Sequence, residues 1–245
     1  MIFNDVLYRL KTDGSLRDAL RKRTTDKVDT KAYIAQLVGE RHVVPTLAVL
    51  NTADEIHSFD FPHSCAIKPA HSSQQVILRL GGEEIDRDEI ARWLDEDYYR
   101  ISREANYLGL PRRIIVEPLI FYQTEPTDYK IFCFRGEPRM IQCDLDRRTR
   151  HTRQLFDTAW NRQPYSLNYA GNATDHPRPG NLDALLDIAG KLAMPFEFVR
   201  IDLYTDGQAI LVGEITHCHG SASETFIPRS AEQDASRLLF GARTP

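Results

Sequence analysis

The spacing of apolar residues changes near position 60 and divides the chain into regions of different predicted structure. Residues 5–22 and 26–38 carry apolar side chains at helical spacing. A short strand is expected over residues 43–50, and Thr52 is typical of a helix cap. We therefore predict a helical N-terminal lead-in with one short strand over residues 1–60.

Residues 61–120 favour strands with one helix between them. Apolar runs over residues 65–68 and 76–80 flank a polar loop, which is the pattern of a hairpin. Residues 86–105 place apolar side chains opposite an acidic face and predict a helix. A run over residues 114–120 predicts a buried strand that a glutamate and a proline interrupt. Together these elements predict a small lobe.

The last stretch, residues 121–245, predicts a larger lobe. Two hairpins are expected, with strands at 129–134 and 139–143, and at 196–204 and 208–215. Residues 145–180 are rich in polar, proline and glycine positions and predict a long, partly irregular segment. Helices are expected at 182–192, capped by Asn181, and at 232–240. Helices combined with antiparallel hairpins predict an α+β fold.

Composition and charge narrow the class of protein. Apolar residues make up 42% and charged residues 27% of the chain, as is typical of a globular protein. The formal net charge of -4 gives no electrostatic case for nucleic acid as a partner. No apolar run approaches the roughly 20 residues of a membrane helix, and no signal peptide is visible. The four cysteines lack paired spacing, so we expect a reduced, cytoplasmic protein without structural zinc.

The final predicted hairpin carries acidic residues on both strands. Side chains alternate along a strand, so Arg200 and Asp202 share one face, and Val212, Glu214 and Thr216 are expected to share a face of the partner strand. Pairing through a short turn places Asp202 roughly opposite Glu214. Two neighbouring carboxylates repel, and Mg²⁺ would relieve that repulsion because it prefers oxygen ligands. The alternative is that Arg200 or a lysine, and not a metal ion, neutralises the negative charge of the two carboxylates.

Two lysines in predicted strands are candidates for phosphate binding. Lys68 ends a strand before a polar loop, and Lys130 follows Asp128 in another strand. A lysine in an apolar strand must reach water, an anion or a carboxylate, so extension into solvent is the alternative. Glu117 and Pro118 interrupt a buried strand, where free backbone groups would suit an adenine edge. By pattern alone, an edge strand is the favoured interpretation of that interruption.

His217 and His219 flank Cys218, and alternation along a strand would place both imidazoles on the same side. Such a pair suggests a transition metal, but no third ligand has supporting spacing. Contact with substrate or phosphate is therefore the favoured interpretation.

Arginines concentrate in the irregular segment and could capture carboxylate or phosphate groups, or could simply be solvated loop charges. They are Arg147, Arg148, Arg150, Arg153 and Arg162.

Taken in order, eight stretches of the chain resemble the ATP-grasp superfamily, within it the TupA-like branch linked to teichuronopeptide and surface-polysaccharide biosynthesis. Their order and spacing carry the resemblance more than any one of them does. They begin at Val43 (VVPTL), Ala66 (AIKPAHSS), Glu104 (EANY), Ile115 (IVEPLI), Asp128 (DYKIFCFRG), Asp146 (DR), Phe198 (FVRIDLY) and Gly213 (GEIT).

The resemblance implies an ATP-grasp fold with a shortened N-terminal region, in which two lobes with antiparallel sheets enclose ATP. Residues 61–120 would supply the phosphate-covering hairpin and the adenine hinge, and residues 121–245 the metal site. On the nucleotide side, the residues implied are Lys68, Ser72 and Ser73 at the phosphates, Glu117, Pro118 and Leu119 as the hinge, and Asp128 beside them. Glu117 would take the exocyclic amine of adenine.

In the larger lobe, the resemblance implies that Asp202 and Glu214 hold Mg²⁺ and that Lys130 binds phosphate or an acyl phosphate. Arg147 and Arg200 would contact the transferring phosphoryl group or the substrate carboxylate. Two departures from the family pattern concern the ligands. Thr216 stands where an asparagine ligand is usual, and the covering hairpin, normally glycine-rich, has the sequence HSSQ from position 71.

The function that follows is an ATP-dependent carboxylate–amine ligase that forms an acyl phosphate. The resemblance alone implies the substrates: an amino acid or other amine, and a sugar acid or glycan-linked precursor. One alternative is a kinase that phosphorylates a hydroxyl, with His217 or His219 as base. Another is a non-catalytic nucleotide-binding module of a polysaccharide assembly complex. Neither the acid, the amine nor the oligomeric state follows from the sequence.

Overall fold

The computed structural model describes residues 1–121, 127–145 and 151–241. Its α-helices are α1 (Phe3–Thr12), α2 (Ala19–Thr25), α3 (Asp29–Val38), α4 (Ala53–Ser58), α5 (Arg87–Trp93), α6 (Tyr98–Ser102), α7 (Leu182–Ala193) and α8 (Glu232–Phe240). Its strands are β1 (Ala48–Leu50), β2 (Cys65–Pro69), β3 (Ile77–Arg79), β4 (Ile114–Glu117), β5 (Thr127–Phe134), β6 (Glu137–Leu145), β7 (Thr152–Asp157), β8 (Ser166–Leu167), β9 (Phe198–Thr205), β10 (Ile210–Thr216) and β11 (Phe226–Ile227). No helix in these residues is long and apolar enough to cross a membrane.

The smaller sheet has four antiparallel strands in the order β1-β4-β2-β3. One face packs under α4 and α5, where Ile67, Ile90 and Val116 are fully buried. Because side chains alternate along each strand, the opposite face carries Lys68 and Glu117. The predicted hairpin of β2 and β3 is confirmed, and β2 places Lys68 on the face opposite α4 and α5.

The larger sheet has five antiparallel strands in the order β10-β9-β5-β6-β7. One face is apolar and packs against α3 and α7, whose buried residues recur at helical spacing. The other face is divided. The half around Phe132 and Phe198 is apolar and is covered by α1 and α8. The half around Lys130 and Asp202 carries charged side chains. Both predicted hairpins of this lobe are confirmed.

The N-terminal segment is shared between the two sheets. Helix α1 buries Phe3 against Phe132 and Phe198 of the larger sheet, whereas β1 pairs with β4 in the smaller one. Arg113, just before β4, donates hydrogen bonds to Asp26 (2.7 Å) and Asp29 (2.9 Å) at the start of α3. These bonds hold α3 next to the charged face of the smaller sheet.

Two predicted helices are broken in the structure. The helix predicted over residues 5–22 ends before Gly14, whose φ of 89° favours glycine, and α2 begins where the side chain of Asp18 accepts the amide protons of Leu20 and Arg21. The helix predicted over 86–105 is divided into α5 and α6. Helix α6 ends at Arg103, which has a left-handed backbone.

Local capping was predicted with mixed success. Thr52 accepts the amide proton of Glu55, so the predicted cap of α4 is confirmed. The predicted cap of α7 by Asn181 is wrong, because its side-chain amide donates to the Thr205 hydroxyl instead. The segment predicted to be irregular contains β7 and β8 among its described residues.

A β-bulge in β10 corrects the predicted face of Val212. The register pairs Val212 with Leu203 and then Glu214 with Asp202, so one extra residue, Gly213, lies between them. Val212 therefore joins the apolar core beside α7, while Glu214 points to the opposite, charged face. The predicted pairing of Asp202 with Glu214 is confirmed, but the shared face of Val212 and Glu214 is wrong.

The bulge also explains the glycine. A Cβ built on Gly213 would overlap the ring of Tyr204. We expect Gly213→Ala to lower the free energy of unfolding by about 1–3 kcal/mol, the usual cost of overpacking a close contact. Gly180→Ala is the matched control, because that position has no atom within 4 Å of the added Cβ and no positive φ. Urea denaturation of both variants tests this. Equal stability of the two alanine variants would contradict the steric role of Gly213.

Candidate active site

Glu117 on the smaller sheet lies between two lysines. Its Oε1 accepts a hydrogen bond from Lys31 Nζ at 2.6 Å and its Oε2 one from Lys68 Nζ at 2.7 Å. Burial alone would raise the pKa of Glu117, but Lys68 and Lys31 outweigh it and hold the pKa below its usual value. Glu117 is therefore an ionised carboxylate with both oxygens engaged. Pro118 and Leu119 follow β4 and are half-buried.

Lys27 and Lys31 were missed in the sequence. Lys27 lies in the turn before α3 and donates a hydrogen bond to the backbone oxygen of Ser72 in the predicted covering loop. Lys31 lies one helical turn further on and also donates to the Thr46 hydroxyl at 2.7 Å. Burial lowers the pKa of both lysines. The signal that could have found them is their spacing of four residues at the start of a helix.

Three lysines from two separate segments, the start of α3 and strand β2, therefore converge at the charged face of the smaller sheet. Lys27, Lys31 and Lys68 act electrostatically on one another and on Glu117, the acidic side chain to which two of them donate. Their combined charge exceeds that of the carboxylate they share. The arrangement is suited to a polyanion.

The same face offers an apolar surface beside these charges. Leu78 pairs with Ala66, which in turn pairs with Glu117, so the three side chains share one face of the sheet. Leu78 in the edge strand β3, and Val76 and Leu80 on either side of that strand, remain 45%, 48% and 36% exposed. A flat apolar ligand group would be covered there.

Lys130 is the central cation of the larger sheet. It is buried, and its ammonium donates to Asp128 and, at 3.1 Å, to Asp202 Oδ2. Asp144 Oδ2 lies 3.8 Å away. Burial alone would lower the pKa of Lys130, but Asp202 and Asp128 outweigh it, so the pKa is raised and the lysine stays cationic.

Arg200 and Asp202 form a two-pronged ion pair on β9. Arg200 Nε and Nη2 each donate to one oxygen of Asp202, both at 2.6 Å. Burial opposes the ionised form of each, but the pair itself prevails, raising the pKa of Arg200 and lowering that of Asp202. Arg200 Nη2 also donates to the Thr216 hydroxyl at 3.1 Å. Thr216 therefore presents its oxygen to Arg200.

Glu214 differs from the other acidic residues on this face. It is half-buried opposite Asp202, and within residues 1–121, 127–145 and 151–241 it has no hydrogen bond or ion pair. The charges of Lys27 and Arg200 act on it from a greater distance. In the same ranges no cluster of three His, Cys, Asp or Glu side chains is arranged to hold a metal ion. A cation at this point would have Glu214 and Asp202 as its acidic neighbours.

The two histidines lie in different environments, so the prediction that they point to the same side is wrong. His217 is buried against Phe196, with Nδ1 2.9 Å from Arg21 Nη1 and Nε2 2.8 Å from the Thr24 hydroxyl. His219 lies on the charged face next to Arg200. Burial lowers the pKa of both, that of His219 to about 4 with a further contribution from Arg200.

The predicted covering loop contains Ser72 and Ser73, whose environments differ. Ser72 is buried and donates to Gln75 Oε1 at 2.6 Å. Ser73 is half-buried and lies near Tyr98 and Tyr107, whose pKa values it acts to lower. Burial, Glu214 and Glu104 raise the pKa of Tyr107 well above its usual value. The two tyrosines thus connect the loop to the neighbourhood of Glu214.

Glu104 is a buried carboxyl group to which the sequence analysis assigned no role. Its pKa is raised to about 7, mainly by burial and further by the charge of Glu214. Ser221 and Lys11 partly oppose that rise. Arg147, predicted to be catalytic, lies outside the described residues.

The raised pKa of Glu104 predicts a specific pH dependence of stability. The folded protein binds this proton more tightly than the unfolded chain, so folding stability falls as pH rises from about 4.5 to about 7. We expect Glu104→Gln, which does not titrate, to remove up to about 3 kcal/mol of that loss. Urea unfolding at pH 5 and pH 8 measures it, with exposed Glu84→Gln as the control. An unchanged pH dependence in Glu104→Gln would refute the raised pKa.

Comparison with known proteins gives one family match. The model of the TupA-like ATPgrasp family matches residues 7–237. No curated protein sequence matches the chain.

Similar solved structures include three ligases. D-alanine–D-alanine ligase from Helicobacter pylori is 16% identical, with a TM-score of 0.49, covering 89% of this chain and 57% of that one. D-alanine–D-alanine ligase from Bacillus anthracis is 17% identical, with a TM-score of 0.49, covering 96% and 71%. L-amino acid ligase from Bacillus licheniformis is 12% identical, with a TM-score of 0.49, covering 90% and 51%. The chain thus spans little more than half the length of two of these ligases.

The family match covers nearly the whole chain and agrees with the observed helices and two antiparallel sheets, so the predicted α+β ATP-grasp fold is confirmed. The chain belongs to the TupA-like ATP-grasp family.

Proposed function

We propose that the protein is a magnesium-dependent ligase that uses ATP to join a carboxylate to an amine. One observation carries the proposal. Glu214 is a half-buried carboxylate without an ion pair in the described residues. It pairs across the sheet with Asp202, which in turn pairs with Lys130. Membership of an ATP-grasp family supports the nucleotide.

The smaller sheet would bind ATP. Lys27, Lys31 and Lys68 supply the positive charge that a triphosphate needs, and Ser72 and Ser73 would cover it from the loop. The adenine ring would lie on the apolar surface around Leu78. Because both oxygens of Glu117 already accept hydrogen bonds from lysines, the backbone of residues 117–119 is better placed than the Glu117 carboxylate to bind the adenine edge.

The charged face of the larger sheet fits a divalent cation. Glu214 is a hard oxygen ligand with no hydrogen bond or ion pair elsewhere in the described residues, and Asp202 lies opposite it. Thr216 fits less well, because its hydroxyl already accepts a hydrogen bond from Arg200. We therefore assign Glu214 as the principal magnesium ligand. Both oxygens of Asp202 already accept hydrogen bonds from Arg200 and Lys130, so Asp202 would bind the ion only through a remaining lone pair, and Thr216 would act through Arg200. When bound, the ion would neutralise phosphate charge.

The reaction has two steps. An oxygen of the acid substrate attacks the γ-phosphorus of ATP, the bond to ADP breaks, and an acyl phosphate forms. The amine nitrogen then attacks the acyl carbon, inorganic phosphate leaves, and the nitrogen loses a proton to give the amide. Lys130 and Arg200 are buried cations on one sheet face, so they would stabilise the negative charge that develops in both steps without reorganising.

Neither histidine is available as the base that a kinase needs. The Arg21 guanidinium can only donate, so it occupies the lone pair of His217 Nδ1, and the proton on Nε2 is directed to Thr24. Arg200 occupies the Nδ1 lone pair of His219 in the same way. These contacts favour the ligase over the kinase that the sequence left open.

The substrates we propose are an amino acid or amine and a sugar acid or glycan-linked precursor. The solved relatives support the amine side, since two are D-alanine–D-alanine ligases and one is an L-amino acid ligase by name. The glycan side rests on the family's link to surface polysaccharides.

Substrate identity can be tested by product analysis. We expect ADP release only when a carboxylate and an amine are both present, in a screen of sugar acids crossed with amino acids and read by mass spectrometry. The product mass should equal the two substrates less one water. If a hydroxyl compound alone is turned over and no acid–amine pair reacts, the protein is a kinase and not a ligase.

Nucleotide binding gives a separate prediction. We expect Lys68→Ala to weaken ATP binding about tenfold or more, because losing a charge-assisted contact costs about 1.5–3 kcal/mol. Glu214→Gln should remove the magnesium dependence of ATP binding while preserving the fold. Isothermal titration calorimetry with and without Mg²⁺ measures both, and Lys191→Ala, a surface lysine paired with Asp187, is the control. Magnesium-dependent ATP binding that survives Glu214→Gln would exclude Glu214 as a ligand.

A further inference from the structure

A connected series of buried and half-buried side chains joins Arg200 and Lys130 of the larger sheet by a second route. Arg200 and Lys130 already meet at Asp202. Away from Asp202, Arg200 contacts His219, which contacts Glu224. From there the series runs through Arg153 and Asp144 back to Lys130.

The first half of this route determines the tautomer of His219. Arg200 Nη1 lies within hydrogen-bond distance of His219 Nδ1, and a guanidinium can only donate. Nδ1 must therefore be unprotonated, so the proton is on Nε2 and is donated to Glu224 Oε2 at 2.5 Å. The rings of Phe3 and Phe132 pack around this imidazole, which is 3% exposed.

The second half holds Glu224 in place. Arg153 Nη1 donates to Glu224 Oε2 at 2.9 Å, and Arg153 Nε donates to Asp144 Oδ1 at 2.6 Å. Although burial opposes ionisation, His219 and Arg153 lower the pKa of Glu224 to about 2. A Cβ on Gly220 would lie 2.5 Å from Glu224 Cγ, so a glycine is needed where this side chain passes.

Among the described residues, Arg200 has one N–H group without a partner. Of its five N–H groups, two bind Asp202, one binds Thr216 and one binds His219 among the described residues. The remaining N–H is on Nη1, the nitrogen that His219 orients. A ligand anion would meet this N–H in a direction fixed by the imidazole.

We propose that His219, Glu224 and Arg153 are positioning residues. They orient the remaining N–H of Arg200 and the ammonium of Lys130 toward the same reacting group. The inference rests on the proposed ligase function, since that group is the acyl phosphate. His219 acts as a neutral connector rather than as a base or a metal ligand. Asp144 completes the connection on the Lys130 side.

Chemical complementarity supports a neutral imidazole. A protonated His219 would direct an N–H at the guanidinium and break the contact with Arg200. Because Glu224 accepts from both His219 and Arg153, it ties the orientation of one guanidinium to that of the other. Neutralising Glu224 is therefore expected to disturb Arg200 without removing any group that touches the substrate.

The first measurement needs no substrate. In the full chain labelled with ¹⁵N-histidine and ¹⁵N-arginine, NMR should show His219 protonated at Nε2 only, between pH 5 and pH 8. Arg200 should give resolved, slowly exchanging guanidinium signals. His219→Phe, which keeps an aromatic ring but removes both nitrogens, identifies the His219 signal and should abolish the signal of Arg200 Nη1, whereas Nε and Nη2 remain bound to Asp202 and Thr216. A cationic or Nδ1-protonated His219 at pH 7 would overturn the proposal.

The second measurement uses the acid–amine pair found by the product screen. We expect Glu224→Gln to lower kcat roughly 10- to 100-fold, as small misplacements of catalytic groups do, with the KM for ATP and the magnesium dependence of ATP binding unchanged. Glu224→Asp should restore part of the loss. Glu197→Gln, which breaks only the exposed pair with Arg9, should match the wild type.

These two measurements separate the proposal from the function on which it rests. If no acid–amine pair reacts but the Arg200 signals depend on His219 and Glu224, the ligase assignment fails and the positioning of Arg200 stands. If kcat and the Arg200 signals are both unchanged in Glu224→Gln, the positioning role is refuted while the ligase remains. If Glu224→Gln does not fold, His219→Phe decides between the same outcomes.

Discussion

Lys130 and Arg200 lie buried on one face of the larger sheet, and Asp202 accepts hydrogen bonds from both. Burying a charge is costly unless it is paired and hydrogen-bonded, so this three-residue contact is the condition on which the charged half of the sheet depends. It keeps both cations ionised at neutral pH, because the carboxylates outweigh burial. The other charges on that face are arranged around it.

The division of this sheet face follows from the same constraint. At Phe132 in β5 and Phe198 in β9 the sheet face is apolar, and helices α1 and α8 cover it. Where charged side chains follow, no apolar helix could cover them without leaving polar groups unsatisfied. The charge of Glu214 on that half acts on Lys27, next to the smaller sheet. The face is divided because one strand pair changes from apolar to charged along its length.

Some features of the site were accessible from local pattern. Alternation along β9 and β10 correctly predicted that Asp202 faces Glu214, because the side-chain period of a strand is a property of the backbone. The same pattern misplaced Val212, since a one-residue bulge reverses all later positions and here depends on Gly213 fitting under the Tyr204 ring. The helix breaks at Gly14 and between Trp93 and Tyr98 were also missed.

The sequence by itself determined the α+β class, the hairpins, the family and the candidate pairing of carboxylates and lysines, because periodicity and ordered motifs are written along the chain. Only the tertiary structure decided which charges meet. Lys31 reaches Glu117 across 86 positions, and Arg21 reaches His217 across 196. Such contacts depend on how α2, α3 and the two sheets pack, which no local pattern encodes. For that reason the absence of an ion pair at Glu214 among the described residues, and the contacts of His219 with Arg200 and Glu224, could be identified only from the packed structure.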